Sequence, residues 1–407
     1  MQALNQDWRT PGMVILCGGI IVTLSMGIRH AFGLFLQPMS ADFGWGREVF
    51  SLAIALQNLA WGAAQPFTGF VADRYGAGRV LVAGAVLYVL GLVLMAASTT
   101  GFALAGSAGL LIGLGLSGTT FSVVYGVIGR TVSPEKRSTA LGIAGAAGSF
   151  GQFMMVPVGQ TLISNLGWVS ALLVMAALGA MMVPLSSALV EKRSGHVGAG
   201  RRQTVGQAIG EAARHRGFWL LTLGFFVCGF QVVFIASHLP AYLADQGQPA
   251  RVGMLALALV GLFNIFGTYG AGVLGGRYTK KYLLSALYVA RAIVIAIFIA
   301  LPVTPLSAAL FAAAMGLLWL STVPLTNGII AQVFGVQYLS MLSGFVFFSH
   351  QIGSFLGAWL GGYLFDATGS YHVVWILCIG LALVAALLNL PIDERPVSLP
   401  GCRHSPA

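Results

Sequence analysis

Gly69-Phe-Val-Ala-Asp73-Arg74-Tyr-Gly76-Ala-Gly78-Arg79 is a short polar punctuation between two long apolar runs, 48–71 and 79–99. Its glycines permit a tight turn, and its charges can pair when helix ends approach one another. On either side of it, apolar windows of about 20 residues recur, each long enough to cross roughly 30 Å of hydrocarbon. They fall near 13–38, 48–71, 79–99, 102–129, 139–164, 167–190, 217–243, 252–275, 282–301, 306–331, 340–365 and 371–391, which makes twelve spans. Helices satisfy their backbone groups within such segments, and the windows are too long and too uniform for barrel strands. Composition agrees with an all-α membrane protein: 57% of residues are hydrophobic and 8% charged. A soluble globular domain carries about 25% charge.

The polar turn has an echo. Shifting the chain by about 202 residues lays GFVADRY (Gly69–Tyr75) near GVLGGRY (Gly272–Tyr278). The same shift lays Gln37-Pro38 on Leu239-Pro240, Val-Tyr-Gly at 124–126 on Thr-Asn-Gly at 326–328, and Gly151 and Gly159 on Gly353 and Gly361. Recurrence at one offset predicts two six-helix halves, 1–190 and 217–407, related by an axis along the membrane normal. Such a parallel repeat is a transporter architecture with its site at the midplane between the halves. Residues 191–216 break the apolar pattern and read as a basic cytoplasmic tether with one short helix over 204–215.

The net charge of +10 comes from 21 Lys and Arg against 11 Asp and Glu. With both termini inside, the internal loops and tails hold 17 of the 21, and the external loops hold only Arg47 and Arg251. This positive-inside bias predicts a multi-pass protein of a cell inner membrane with both termini cytoplasmic. The basic residues then orient the chain and need no nucleic-acid partner. The first apolar stretch is too long for a signal h-region and is expected to stay as the first span. Cys17, Cys228, Cys378 and Cys402 show no metal or disulfide spacing, so no cofactor is expected. No Walker loop, G-x-S-x-G elbow or zinc spacing supports an enzyme. Gly113-Leu-Gly115-Leu-Ser-Gly118 matches G-x-G-x-x-G only inside an apolar span with no preceding strand. It reads instead as close helix packing, as do Gly353, Gly357 and Gly361 at four-residue spacing.

The turn at 69–79 closely resembles the G-x-x-x-D-R-x-G-x-R signature loop of the major facilitator superfamily. Together with twelve spans and the half repeat, the resemblance covers essentially the whole chain. It implies a secondary transporter in which Gly69, Asp73, Arg74, Gly76 and Arg79 form a cytoplasmic latch on one transport state. The echo keeps Gly272 and Arg277 but has Gly276 where the acid belongs, so a second latch looks degraded. Span 5 opens Glu135-Lys136-Arg137 and runs through Gly142, Gly145, Gly148 and Gly151. This is similar to the fifth-helix entry of monocarboxylate carriers and of the oxalate–formate exchange group. A basic residue in the first helix, which Arg29 supplies, suits that group. The acidic-Gly-aromatic motif of animal monocarboxylate carriers is absent, and span 8 has Asn264 where those carriers place an arginine. In the resembled fold, spans 1, 4, 7 and 10 line the cavity, spans 2, 5, 8 and 11 flank it, and the rest support from outside.

Arg29 and Arg291 lie inside apolar stretches, where a charge costs roughly 2.5–3.5 kcal/mol and is rarely kept without a use. All 11 acids fall in loops or at helix ends, so neither arginine has an embedded anion of the protein's own. A small anionic substrate would supply one. Arg29, at mid-depth in a cavity helix, is the expected clamp, since a guanidinium binds a carboxylate through two parallel hydrogen bonds. Arg291 lies at the right depth in a support helix and reads equally as a site residue or as a structural donor to carbonyls. Tyr125 and Asn327 coincide in the repeat, in cavity helices 4 and 10. With His30, Gln152 and Asn264 they complete the expected substrate-binding set, while Gln57 and Gln231 fit inter-helix bonding. Histidine is the ordinary side chain left to carry a coupling proton near neutral pH, with His350 preferred and His30 second. His238 reads as interfacial, and Asp42 and Asp366 as surface or gate residues.

These features predict a monomer in the lipid bilayer that moves a small organic anion, a mono- or dicarboxylate, by alternating access. Transport is coupled to proton symport or to anion exchange. The alternative is an efflux antiporter of the same superfamily, although such pumps commonly rely on embedded acids that this chain lacks. A receptor would need a larger soluble output domain than the linker and tail provide.

Overall fold

The structure, a computed structural model, describes residues 9–132, 134–190, 204–334 and 339–397, and these are helical with no strand among them. Thr10 caps the first helix by accepting from the Met13 amide, with Pro11 in the first turn. α1 (Pro11–Phe43) then passes through a tighter 3-10 stretch at Ala31–Phe35. α2 (Arg47–Tyr75) stops at Gly76, whose φ of 99° suits glycine alone, and α3 (Ala77–Ala96) follows at once. α4 (Gly101–Ile128) breaks at Thr120, where the backbone is extended. Pro134–Ala180 is one hydrogen-bonded run, but Gly167 at φ 78° divides it into α5 before and α6 after. The second half comprises α7 (Arg216–Asp245), α8 (Ala250–Gly275), α9 (Lys280–Ala300), α10 (Pro305–Phe334), α11 (Leu339–Thr368) and α12 (His372–Asn389). α10 breaks too, between Pro305–Leu318 and Thr322–Phe334.

Among the described residues, nine helical stretches are long and apolar enough to cross a membrane by length and composition alone. The expected twelve spans appear once the Gly167 division is made and α2 and α11 are included. Those two helices carry the buried polar pairs Gln57–Asn58 and His350–Gln351, and they meet at the boundary between the halves.

Inside each half, glycines set the helix contacts. A Cβ on Gly151 of α5 would lie 2.1 Å from the Thr23 carbonyl oxygen of α1. A Cβ on Gly353 of α11 would lie 2.0 Å from the Phe226 carbonyl oxygen of α7. The two glycines coincide under the sequence repeat, so what the repeat preserves is a backbone-to-backbone contact. Close packing of this kind drives helix association in lipid, where burial of apolar surface gives little. The short linker helix forms at Val205–Arg214, capped reciprocally by Thr204 and Gln207, while 191–203 lie outside the described residues.

The halves touch along α2–α11 and α5–α8. A Cβ on Gly62 of α2 would lie 2.6 Å from Cβ of Gln351 in α11. Two turns nearer the side that carries the chain termini, a Cβ on Gly69 or on Gly344 would meet nothing within 4 Å. The bundle is therefore closed on the far side and splayed on the terminal side.

Candidate functional site

Arg29 sits just before the 3-10 stretch of α1 and donates through Nη2 to Asn58 Oδ1 of α2. Its guanidinium carbon lies 5.0 Å from the centre of the Trp61 ring, and its Nε is buried without a partner. Among the described residues no carboxylate forms an ion pair with it. A guanidinium carries five donors in a planar fork, so much of this one is left for an anion. His30, buried and next along the helix, turns to the other half. Its Nε2 donates to the Leu257 carbonyl of α8 at 3.2 Å, and its ring meets Trp319 edge-on at 6.2 Å. A carbonyl oxygen only accepts, so the His30 proton sits on Nε2 and Nδ1 stays available.

Gln152 of α5 is buried against Gly261 of α8 and has an unpartnered Oε1. Tyr125 and Asn327 are half-buried in α4 and α10. Tyr125 leans on Phe121, and Asn327 donates to the Val323 carbonyl of its own helix at 3.0 Å. Neither is hydrogen-bonded to Arg29 or His30 among the described residues.

Arg291 is different. It is 0% exposed, and its Nε and Nη2 donate to the Leu318 carbonyl at 3.2 and 2.6 Å. Nη2 also reaches the Trp319 carbonyl, and Nη1 donates to Gln231 Oε1 at 3.2 Å. Leu318 and Trp319 lie where α10 unwinds, so their carbonyls lack the usual helical donors. Asn264 serves the same break: its Oδ1 accepts from the Leu320 amide at 3.1 Å while Nδ2 donates to Ser149 Oγ of α5 at 3.3 Å. Of the two readings of Arg291, these bonds are those of a structural donor to carbonyls, and Asn264, expected in the substrate-binding set, is engaged by the same α10 backbone. Depth along a helix places a residue but does not say which way round it points.

His350 is buried in α11, stacked on Phe347 at 5.6 Å and 4.8 Å from the ring of Phe225. Its Nδ1 faces Gln351 Oε1 at 3.1 Å, and Gln351 Nε2 donates across the half boundary to the Asn58 carbonyl at 3.1 Å. Asn58 thus holds Arg29 with its side chain and Gln351 with its backbone. Sequence reasoning weighed the charges and missed Asn58. The signal was a helical stripe on α2, in which Asn58, Trp61, Gly62 and Gln65 recur at i, i+3, i+4 and i+7. Of the latch residues, Gly76 ends α2, Gly69 faces open space and Arg79 is exposed. The side chains of Asp73 and Arg74 lie outside the described ones.

Charges from both halves close the far side. Arg47 donates to both Asp245 oxygens at 2.7 and 2.6 Å and to the Tyr371 hydroxyl at 2.9 Å. Asp366 caps α2 from the other half, accepting from the Arg47 and Glu48 amides at 3.0 and 2.8 Å. Glu48 in turn accepts from the Trp359 indole at 2.9 Å. His238, expected at the interface, is fully buried beneath this lock, because the turn carrying Tyr371 covers it. Its Nδ1 accepts from the Tyr371 hydroxyl at 3.0 Å and its Nε2 donates to the Ala358 carbonyl at 2.9 Å. Burial pushes the Tyr371 phenol above its ordinary value, which keeps it a neutral donor. Asp366 thus joins the two halves on this side, whereas Asp42 accepts from the Trp168 indole within the first half.

A family model described as Major Facilitator Superfamily matches residues 15–335. The MFS-type transporter YcxA of Bacillus subtilis is 26% identical, with the alignment covering 89% of this chain and 90% of that protein. Rat monocarboxylate transporter 13 is 27% identical, covering 96% of this chain and 91% of the relative. Human monocarboxylate transporter 11 is also 27% identical, over 96% and 84%. A solved bacterial homolog of the human lysosomal transporter Spinster, inward-facing and unoccupied, matches with a TM-score of 0.70 at 14% identity. That match covers 95% of this chain and 94% of the solved one, and at this identity it shows the fold alone.

Proposed function

The chain belongs to the major facilitator superfamily of transporters, and we propose that it carries a small organic anion, a mono- or dicarboxylate, by alternating access. The observation that carries this reading is the Arg29 fork, an embedded guanidinium with an unpartnered Nε and, among the described residues, no carboxylate paired with it. A substrate carboxylate fits two parallel donors of that fork and neutralises a charge that is costly at mid-membrane. The monocarboxylate transporters among the relatives support the same class of cargo. His30 Nδ1, Gln152, Tyr125 and Asn327 supply further polar contacts, while Arg291 holds the α10 break in shape. The positive-inside bias puts the termini in the cytoplasm, which makes the splayed side the cytoplasmic one and the structure an inward-facing state of a monomeric inner-membrane carrier. Asp73, Arg74 and Arg79 latch the opposite state. His350 or His30 takes the coupling proton in symport, and a second anion replaces it in exchange.

The test is purified protein in liposomes that hold a pH-sensitive dye, with a panel of mono- and dicarboxylates added outside. Internal acidification by one acid, lost in Arg29→Gln, is the expected result. Silence across the panel, with no exchange of a preloaded labelled carboxylate either, refutes anion transport.

A further inference from the structure

Gln351 is fully buried, and both ends of its amide are engaged. Nε2 donates to the Asn58 carbonyl at 3.1 Å. Oε1 faces His350 Nδ1 at 3.1 Å and accepts from the Ser354 hydroxyl at 3.4 Å. An amide oxygen only accepts, so this geometry requires a proton on His350 Nδ1. Neutral His350 is therefore the Nδ1–H tautomer, and any proton it gains goes to Nε2. On the other side of the boundary, Asn58 receives the Arg29 guanidinium on its side chain.

We infer that Gln351 is the coupling residue of this carrier, a positioning residue through which a proton on His350 acts on the contact between the halves and on the Asn58–Arg29 pair. Its meaning for transport rests on the anion site proposed at Arg29, but the link itself is a property of the unliganded protein. A charged His350 turns Nδ1–H into a charge-assisted donor, roughly twice as strong as a neutral one. That polarises the Gln351 amide and strengthens its Nε2 as a donor to Asn58, as bonds in a chain reinforce one another. The strengthened bond crosses the halves at Asn58, one helical turn to the far side of the Gly62 contact, so protonation favours the arrangement closed on the far side.

The other groups around His350 are accounted for. Ser354 Oγ lies 3.4 Å from His350 Nδ1. α7 contributes Cys228, which hydrogen-bonds to His350 and whose Sγ lies 3.5 Å from the Arg291 Nη2 cation of α9 and 3.2 Å from Thr322 Oγ1 of α10. The Tyr288 hydroxyl of α9 donates to the Gly224 carbonyl at 2.6 Å, and Cys378 of α12 accepts on its backbone from Gln231. Arg29 of α1 stands beyond Asn58, and no carboxylate among the described residues bonds to this cluster. The far-side lock also holds ionisable side chains, Asp245, Asp366, Glu48 and His238, whose bonds act with the opposite sign. Protonating those carboxylates weakens their bonds to Arg47 and α2, and protonating His238 removes the acceptor for Tyr371.

The experiment measures the far-side separation of the full chain in lipid nanodiscs, without substrate, by pulsed dipolar spectroscopy. Spin labels go at Thr99→Cys and Leu301→Cys, exposed positions on far-side turns of opposite halves, with Cys402→Ser and Cys228 retained. From about pH 8 to about pH 6 the closed-to-open ratio should rise about fivefold, the scale of one charge-assisted bond. Gln351→Met should flatten that response, and so should His350→Gln, which keeps a neutral partner for Gln351. If Gln351→Met does not fold, His350→Gln decides alone. Either variant retaining the full shift overturns the inference, as does a native far side that opens as pH falls through this range. Arg29→Gln separates the two readings: it should keep the pH response while losing uptake of labelled pyruvate. Pyruvate uptake that survives Arg29→Gln sinks the anion site and leaves the Gln351 link to its own test.

Discussion

Replacing Arg291 by methionine keeps an apolar stem and removes the guanidinium. The carbonyls of Leu318 and Trp319 and the Oε1 of Gln231 then lose their donor. A buried acceptor left unmet costs about 1–3 kcal/mol by the standards of soluble proteins, whereas interhelical bonds in a bilayer average nearer 0.6 kcal/mol. Three such acceptors put the loss at about 2–5 kcal/mol, trimmed at the low end because a chain unfolded within lipid still finds partners. At about 2–4 °C per kcal/mol, Tm should fall by about 4–20 °C. Arg291→Lys, a single compact donor, should recover part of that fall but not all, because an ammonium lacks the planar fork. The assay is thermal unfolding of the purified variants, followed by tryptophan fluorescence, with carboxylate binding measured on the folded fraction. Lowered Tm with binding kept within about threefold agrees with the bond geometry. An unchanged Tm with binding lost refutes the reasoning and returns Arg291 to the substrate site.

Asp366→Asn removes the charge that caps α2 from the opposite half. Losing it costs the closed state about 1 kcal/mol. Ser51→Cys, at a position 0% exposed behind the lock, should then react about fivefold faster with an impermeant maleimide added on the far side, and an unchanged rate speaks against the cap. Gly353→Ala places a methyl 2.0 Å from the Phe226 carbonyl oxygen, forcing α7 and α11 apart at a cost of about 1–3 kcal/mol or more. Gly270→Ala, whose Cβ meets nothing within 4 Å, should instead gain up to about 1 kcal/mol, so equal Tm values for the two variants contradict the packing.

Much of the fold was legible because lipid imposes a simple code. Twelve apolar windows, one offset between halves and the Gly69–Arg79 turn predict the architecture, and the structure places Gly151 and Gly353 in matching contacts. The site was less legible, for three physical reasons. Depth along a helix is readable but azimuth is not, which left Arg291 undecided until its α10 partners were visible. The break in α10 exists because Arg291 and Asn264 satisfy its carbonyls and amide, and a partner distant in sequence leaves no local mark. His238 looked interfacial by its distance from a span end, yet the turn holding Tyr371 folds over it. Asn58 and Gln351 were passed over because uncharged amides cost little in a hydropathy profile, although their backbone and side-chain bonds join the halves.

The Gly62–Gln351 contact also sets the mechanics of the molecule. α2 extends about 23 Å from Gly62 to its start at Arg47 and about 20 Å to its end at Tyr75, at 1.5 Å per residue. The fulcrum therefore lies close to the middle of the beam. Tilting α2 about it by about 20° would sweep either tip through about 7–8 Å, enough to admit a small molecule, given those arm lengths. Because the arms are nearly equal, whatever one mouth gains the other loses. On the alternating-access proposal, a seesaw balanced in this way opposes a passage open at both ends, since that would require the beam to leave its pivot, and the far-side lock holds one arm down. Enlarging Gly62 would lift it off, and the cost would be felt as a leak before it was felt as a slower turnover.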